Sequence, residues 1–118
     1  MTAIRNISYG MITKGRPEKK KSLVSRVMKV DFTPQDEFAT IIVAFQGIEA
    51  WKNTVQLQVY DVDNHILIRG DPTKISLRSG ETQERIWSFP LSMHPGLYRA
   101  DVRVGEEVGW REYFRVRE

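Results

Sequence analysis

Apolar and polar residues alternate along much of the chain, most regularly near its C-terminal end. Every second residue from Tyr98 to Val104 is apolar, and the residues between them are charged. A period of two with one polar face predicts a half-buried β-strand. A second alternating run covers residues 110–117, after a glycine-bounded loop at residues 105–109. The two runs therefore predict an antiparallel hairpin of two strands, F and G.

Shorter segments of the same character precede this hairpin. We predict a strand at residues 7–13, strand A at 23–32, strand B at about 37–46, strand C at 54–60, short strands at 66–68 and 74–78, and strand E at 83–91. In strand C the valines and the leucine point inward, whereas Gln56, Gln58 and Tyr60 point outward. Strands spaced by about eight to twelve residues, with turn residues between them, predict a β-sandwich.

Residues 33–46 carry two conflicting signals. Thr33 followed by Pro34 and early acidic residues is typical of a helix start, and the apolar residues also fit a helical spacing. The run from Thr40 to Phe45 is instead rich in β-branched and aromatic residues, which favour a strand. We predict strand B here, and a helix within residues 34–46 stays open as the alternative.

Large aromatic residues near strand ends usually close the core of a sandwich. In strand E we expect Ile86, Trp87 and Phe89 to belong to the core. Trp110 opens strand G, where it is placed to cover one end of the sandwich. Trp51 lies in a loop between strands B and C, and we expect it to plug the core.

A turn signal at Pro95-Gly96 precedes strand F, and Tyr98 then stands two residues before Ala100. This segment resembles the start of strand F in immunoglobulin-like sandwiches, which place a tyrosine two residues before a core cysteine. Alanine in the cysteine position is similar to disulfide-free relatives such as fibronectin type III and many bacterial immunoglobulin-like domains. The resemblance implies an all-β, Ig-like antiparallel β-sandwich of about seven or eight strands. It also implies that Tyr98 is buried and that its hydroxyl bonds to backbone near the E–F turn.

The 118 residues suffice for one domain with a two-layer core. We assign residues 1–22 to an N-terminal strand and an exposed basic loop (residues 14–21), and residues 23–118 to the sandwich core. The absence of cysteine excludes disulfides, thiolate catalysis and cysteine-bound metals. The sequence has neither an apolar stretch long enough for a transmembrane helix nor a secretory signal at its start. We therefore expect a cytoplasmic protein without a membrane span.

Two local patterns could indicate a metal site. Asp61, Asp63 and Asn64 have the oxygen spacing with which calcium loops begin, but the later ligand positions do not fit, and Pro72 occupies the twelfth. We interpret this segment as a hairpin turn, because Asp and Asn are the expected turn residues. His65 and His94, the two histidines of the sequence, lie among turn residues and do not complete a zinc-ligand set.

The usual signatures of catalysis are missing from the sequence. No serine lies in a G-x-S-x-G elbow, and no glycine-rich phosphate loop occurs. The acidic pair Glu106-Glu107 lies in a predicted exposed loop and lacks the desolvation that acid–base catalysis requires. We therefore expect no enzyme, and no catalytic residue, cofactor, metal or small-molecule substrate.

The outward face of strands C, F and G is the feature that points towards a function. Strands C, F and G neighbour one another in Ig-like sandwiches. Arginine and tyrosine, which dominate interface hot spots, are frequent on this face. Its candidate residues are Gln56, Gln58, Tyr60, Arg99, Arg103, Arg111, Tyr113 and Arg115. The alternative is a solvated sheet face whose arginines pair with Asp101 and Glu112.

Three functional hypotheses follow from these observations. The first is a non-enzymatic module that binds another protein, or a second copy of itself, through this face or an edge strand. The second is binding of a polyanion, such as a nucleic acid or an anionic surface, through residues 14–21 and the arginines of the face. The third is an accessory carbohydrate-binding sandwich, which would require Trp51 and Trp110 to be exposed on one surface.

Overall fold

A computed structural model describes residues 5–15 and 27–118. Within these ranges the chain forms nine β-strands and one turn of 3-10 helix at Pro34–Asp36. The strands are β1 (Ile7–Lys14), β2 (Asp31–Phe32), β3 (Phe38–Gln46), β4 (Trp51–Tyr60), β5 (Ile66–Arg69), β6 (Thr73–Leu77), β7 (Thr82–Pro90), β8 (Gly96–Val104) and β9 (Glu107–Val116). The described residues contain no helix with the length and apolar character needed to cross a membrane.

The strands form two sheets that pack face to face. The smaller sheet has the order β1-β3-β7, and the larger has the order β2-β9-β8-β4-β5, with β6 also paired to β4. In the described ranges every pairing is antiparallel except that of β2 with β9. The inward residues of both sheets form one hydrophobic core, in which the ring centroids of Phe89 and Phe114 lie 5.8 Å apart across the sheets. The predicted all-β sandwich is therefore confirmed.

Residues 33–46, whose sequence signals conflicted, contain both a short helix and a strand. Pro34–Asp36 forms a single 3-10 turn, in which the Asp36 carboxylate accepts a hydrogen bond of 2.8 Å from the backbone N–H of Thr33. The chain then enters β3, whose β-branched residues are buried. The strand prediction is correct and the helix ends after one turn, because the following residues favour extended backbone.

The N-terminal part of the chain differs in detail from the prediction. Residues 7–14, which we placed ahead of the sandwich core, form β1, pair with β3 and contribute Ile12 to the core. Of predicted strand A, residues 23–26 lie outside the described residues, and within 27–32 only Asp31 and Phe32 form a strand. The basic loop also lies mostly outside the described residues; its Lys14 ends β1 and is exposed.

The three tryptophans all pack against the core. Trp51 begins β4, three residues earlier than we predicted for strand C, and its ring stacks on Phe45 with centroids 5.9 Å apart. Trp110 lies over Gly10 of the opposite sheet, where an added Cβ would come within 2.3 Å of the indole nitrogen. A glycine is therefore required at that point of the sheet-to-sheet contact.

Strand E follows the prediction except at one residue. Phe89 is buried, and Trp87 is partly buried on the same side of β7. Ile86 instead points outward and is 38% exposed. Because neighbouring residues of a strand point to opposite faces, Ile86 and Trp87 could not both belong to the core.

Tyr98 lies at the corner where the chain passes from β7 to β8. It is 8% exposed, and its hydroxyl donates a hydrogen bond to the backbone carbonyl of His94. Its ring stacks on Phe114 with centroids 5.6 Å apart. Burial, and secondarily the negative charge of Asp61, raise the pKa of the Tyr98 hydroxyl. These contacts are those that the tyrosine-corner resemblance implied.

Candidate functional site

The outward residues that the sequence indicated lie together on the outer face of the larger sheet. β4, β8 and β9 are neighbours in that sheet, and their register arranges these residues in cross-strand rows. The first row joins Tyr60, Arg99 and Tyr113; the second joins Gln58, Asp101 and Arg111; the third pairs Gln56 with Arg103; and Arg115 pairs with Leu97. The three strands thus bring all the predicted residues to one surface.

Two short strands extend this face with cations that sequence reasoning missed. β5 places Arg69 opposite Gln58, and β6 places Lys74 opposite Thr54. Lys52 lies on the same side of β4, in phase with Gln56. We name as the cationic face the outward side chains Lys52, Arg69, Lys74, Arg99, Arg103, Arg111 and Arg115. Lys52 could have been recognised by extending the alternation of strand C towards Trp51, and Arg69 from the hairpin turn between β4 and β5. The pairing of β6 with β4 has no such local signal.

Asp101 holds two arginines of the cationic face in place. Its side chain is 2% exposed although it points outward, and its two oxygens accept hydrogen bonds of 2.8 and 3.0 Å from Arg111. The hydrogen bonds that Arg111 donates to Asp101 raise the pKa of Arg111, against the opposing effect of burial. Arg99 Nε lies 3.3 Å from the same carboxylate, an ion-pair distance without the alignment of a hydrogen bond. Arg99 and Arg111 are therefore partly structural.

Further contacts fix Arg99 from the opposite side. Its Nη1 donates a hydrogen bond of 2.9 Å to the side chain of Asn64 in the β4–β5 turn. Its guanidinium carbon lies 4.3 Å from the ring centroid of Tyr60, a cation–π contact. The Tyr60 hydroxyl bonds to the side-chain oxygen of Gln58. Tyr60 and Gln58 thus support the arginines rather than presenting free polar groups.

The remaining members of the face are more open to solvent. Arg69, Lys52, Lys74 and Arg115 are exposed. Arg103 is half-buried and donates a hydrogen bond of 2.6 Å to the backbone carbonyl of Glu106. These are the groups through which the face can contact a partner.

Acidic side chains lie mainly at the margins of this face. Asp31 beside β9 is paired with Arg117 at 2.6 Å, and further acids occupy the β4–β5 and β8–β9 turns. Glu112 lies opposite Ala100 and so points to the other side of the sheet, where its carboxylate accepts from the N–H of Tyr113. The alternative in which the arginines of the face pair with Glu112 is therefore wrong, whereas their pairing with Asp101 is correct.

The Asp61–His65 segment has the geometry of a turn. One Asp61 oxygen accepts hydrogen bonds of 2.9 Å from the N–H groups of both Asp63 and His65, and the other lies 3.1 Å from His65 Nδ1. The backbone N–H of His65 is the largest of the effects that lower the pKa of Asp61. Asp61, Asp63 and His65 could bring ligand atoms within 4.8 Å of one another. The hydrogen bonds to Asp61 account for this cluster as turn chemistry.

No family model matches this chain, and no curated protein matches it. Solved structures do match. A mutant β-glucosidase from Listeria innocua in complex with laminaribiose has a TM-score of 0.63 at 17% identity, covering 79% of this chain and 15% of that chain. A β-glucosidase from Kluyveromyces marxianus has a TM-score of 0.59 at 16% identity, covering 82% of this chain and 15% of that chain.

A third similar structure is the alkylpurine DNA glycosylase AlkC from Pseudomonas fluorescens, bound to DNA containing an abasic site analogue. Its TM-score is 0.62 at 15% identity, covering 96% of this chain and 30% of that chain. At such identities the likeness concerns the fold alone. This chain spans about 15% of the β-glucosidase chains and 30% of the glycosylase chain, so it is similar to one part of each larger protein.

Proposed function

We propose that the protein is a non-enzymatic binding module and that its cationic face binds a polyanion. The observation that carries the proposal is the gathering of lysine and arginine from β4, β5, β6, β8 and β9 on one surface. The acid at the centre of this surface, Asp101, is 1% exposed and already paired. The field at the surface is therefore positive and attracts a negatively charged partner.

The composition of the cationic face favours a polyanion over a protein surface. Protein interfaces are enriched in arginine but depleted of lysine, so Lys52 and Lys74 are the members of the face that argue for a polyanion. Here arginines occupy the middle of the face, and Lys52 and Lys74 extend it towards one end. Phosphate or sulfate groups suit such a surface, because they can pair with cations at many positions without apolar contact.

A binding module of the immunoglobulin-like class is consistent with the arrangement of strands. In that class the first, second and fifth strands share one sheet, and strands C, F and G share the other. Assigning β1, β3 and β7 to the first group and β4, β8 and β9 to the second reproduces this division. The buried Tyr98 with its bond to His94 is a second point of agreement.

The ligands of the similar structures do not distinguish between the hypotheses. One such structure contains DNA and another laminaribiose, and each belongs to a much larger protein. Carbohydrate binding by this chain would use a row of exposed aromatic rings. Trp51 and Trp110 are partly buried and pack against the core, which argues against that hypothesis.

A protein partner, our first expectation from the sequence, is the second candidate function. It is favoured by a shallow groove of about 320 Å³ beside the cationic face, which is lined by Val30, Leu97 and Tyr113 among others. Leu97 is 52% exposed and offers apolar surface beside Tyr113 in this groove. A partner that used this groove would bind through apolar contact and would be less sensitive to salt.

Binding of fluorescently labelled heparin, a general polyanion, tests the proposal. We expect the affinity for heparin to fall steeply between about 50 and 200 mM salt. Binding releases counterions from the polyanion, and added salt opposes that release. Arg69→Glu should weaken binding severalfold, whereas Arg5→Glu, an exposed arginine that precedes β1, should not. Equal effects of the two reversals, or binding that is insensitive to salt, would contradict a site on the cationic face.

A further inference from the structure

We infer that the polyanion is a single-stranded nucleic acid, whose phosphates pair with the cationic face while one base stacks on Tyr113. This inference rests on the proposed function, because it uses the same surface. It adds the stacking of a base on an aromatic ring, a contact that heparin and other polymers without bases cannot make. The argument begins with the position of Tyr113.

Tyr113 presents an open aromatic ring among guanidinium groups. It is 60% exposed, although it lies within β9 and not in a loop. Arg99 lies directly opposite it on β8, and Arg111 and Arg115 lie on the same side of β9, about 7 Å away along the strand. An exposed aromatic ring flanked by cations is the combination with which proteins bind single strands, since bases stack on the ring while phosphates pair with the charges.

The surroundings of Tyr60 and Tyr113 differ, and this difference assigns the stacking role to Tyr113. The ring of Tyr60 is already covered by the guanidinium of Arg99, and its hydroxyl is bonded to Gln58. Tyr60 and Tyr113 flank Arg99 in one row. Tyr60 thus helps to orient Arg99, and the ring of Tyr113 stays open for a base.

The shape of the surface favours a single strand over a duplex. The cationic face extends over β9, β8, β4 and the position beside β4 that β5 and β6 share. At the usual strand spacing, these four positions make it about 14 Å across. The major groove of duplex DNA is about 12 Å wide and admits a helix or a two-stranded ribbon. The described residues contain no α-helix to enter that groove. In a duplex, moreover, the bases are stacked on one another and cannot reach Tyr113.

The test measures binding of a fluorescein-labelled deoxythymidine dodecamer by anisotropy, beside binding of heparin. Tyr113→Ala should weaken oligonucleotide binding by about tenfold or more, the usual effect of losing one stacked base. It should leave heparin binding unchanged, and Tyr113→Phe should restore oligonucleotide binding. Tyr9→Ala is the matched control, because Tyr9 is 45% exposed on the outer face of the other sheet. Circular dichroism of each variant verifies that it is folded.

The outcomes separate this inference from the proposed function. If heparin binds and the oligonucleotide does not, or if Tyr113→Ala binds it as the unchanged protein does, the inference is overturned while the proposed function stands. Tighter binding of a duplex of the same length also overturns it. If neither heparin nor the oligonucleotide binds, both proposals fail. Weaker oligonucleotide binding by Tyr113→Ala and not by Tyr9→Ala, with heparin unaffected, supports both.

Discussion

The outer faces of the two sheets differ although both belong to one sandwich. On the smaller sheet, the outward residues of the central strand, Thr40, Ile42 and Ala44, are almost completely buried. On the larger sheet, the outward positions of β8 carry Arg99, Asp101 and Arg103. The outer face of the smaller sheet is thus a thin, mainly uncharged layer, and that of the larger sheet is rich in charged side chains.

Side chains of the two edge strands cover β3 on the smaller sheet. Ile42 lies in register between Met11 and Ile86, and the Tyr9 hydroxyl bonds to Glu84 across Ala44. A third row includes a hydrogen bond of 2.8 Å between the hydroxyls of Thr40 and Ser88. These three rows make the outer face of the smaller sheet a second packed layer. Among the described residues, its outward positions carry one carboxylate, that of Glu84.

The comparison shows that an outward position does not by itself mean a solvated one. Ile42 and Asp101 both point away from the core between the sheets, and both are at most 1% exposed. Ile42 is covered by apolar neighbours, whereas Asp101 is covered by the arginines that it binds. Mutations on the two faces should therefore disturb different interactions.

The largest effect is expected for Ile42→Ala. Removing a fully buried isoleucine should lower the free energy of unfolding by about 3 kcal/mol, because a cavity replaces packed methyl groups. Ile86→Ala in the same row should have a clearly smaller effect, since Ile86 is already 38% exposed. Urea denaturation measures both. Equal effects would show that the outer layer of the smaller sheet does not pack as described.

Asp101→Asn should have the next largest effect. The substitution keeps the shape of the side chain but leaves Arg111 and Arg99 without their buried carboxylate, which should cost about 2 kcal/mol of unfolding free energy. Glu84→Gln, which removes an exposed charge on the other face but keeps an acceptor for the Tyr9 hydroxyl, should change stability by less than about 0.5 kcal/mol. A similar result for the two variants in urea would mean that Asp101 is not the electrostatic centre of the cationic face.

Tyr98→Phe provides a reference from the interior, which belongs to neither outer face. Loss of the bond to the His94 carbonyl should reduce the unfolding free energy by about 1 kcal/mol or somewhat more. Tyr113→Phe removes a hydroxyl whose contact with Arg111 lies at an exposed ring, and it should leave the urea midpoint nearly unchanged. The tyrosine-corner interpretation would be wrong if the two variants had equal midpoints.

Most of the fold could be predicted because alternation is a local signal. The inward residues of β4, β8 and β9 follow from a period of two, and the fold class follows from the succession of strands and turns. The buried outer row at Ile42 could not be predicted, because alternation does not say which long side chains from other strands cover a position. The prediction of Ile86 as a core residue failed for another reason, because it disregarded the alternation that places Ile86 opposite to Trp87 and Phe89.

The cationic face could be predicted only in part. Arg99, Arg103 and Arg111 were identified because strands F and G form a hairpin, whose register is set by local turn chemistry. Lys74 was missed because the pairing of β6 with β4 leaves no local pattern. Arg69 was missed although the hairpin turn at residues 61–65 predicts that β5 pairs with β4. The near-complete burial of Asp101 was also hidden, since a charged residue on an outward position is normally expected to be solvated.

The smallest effect on stability, and the sharpest contrast between stability and binding, is expected for Arg69→Gln. Arg69 is exposed at the edge of the cationic face, so the unfolding free energy should change by less than about 0.5 kcal/mol. If its guanidinium pairs with a phosphate, the slope of log affinity against log salt for the dodecamer should become less steep by about 0.7. Arg5→Gln, which removes an exposed arginine outside the face, should change neither quantity. An unchanged slope for Arg69→Gln would exclude Arg69 from the binding surface, and a lowered urea midpoint would give Arg69 the structural role that Arg111 already has.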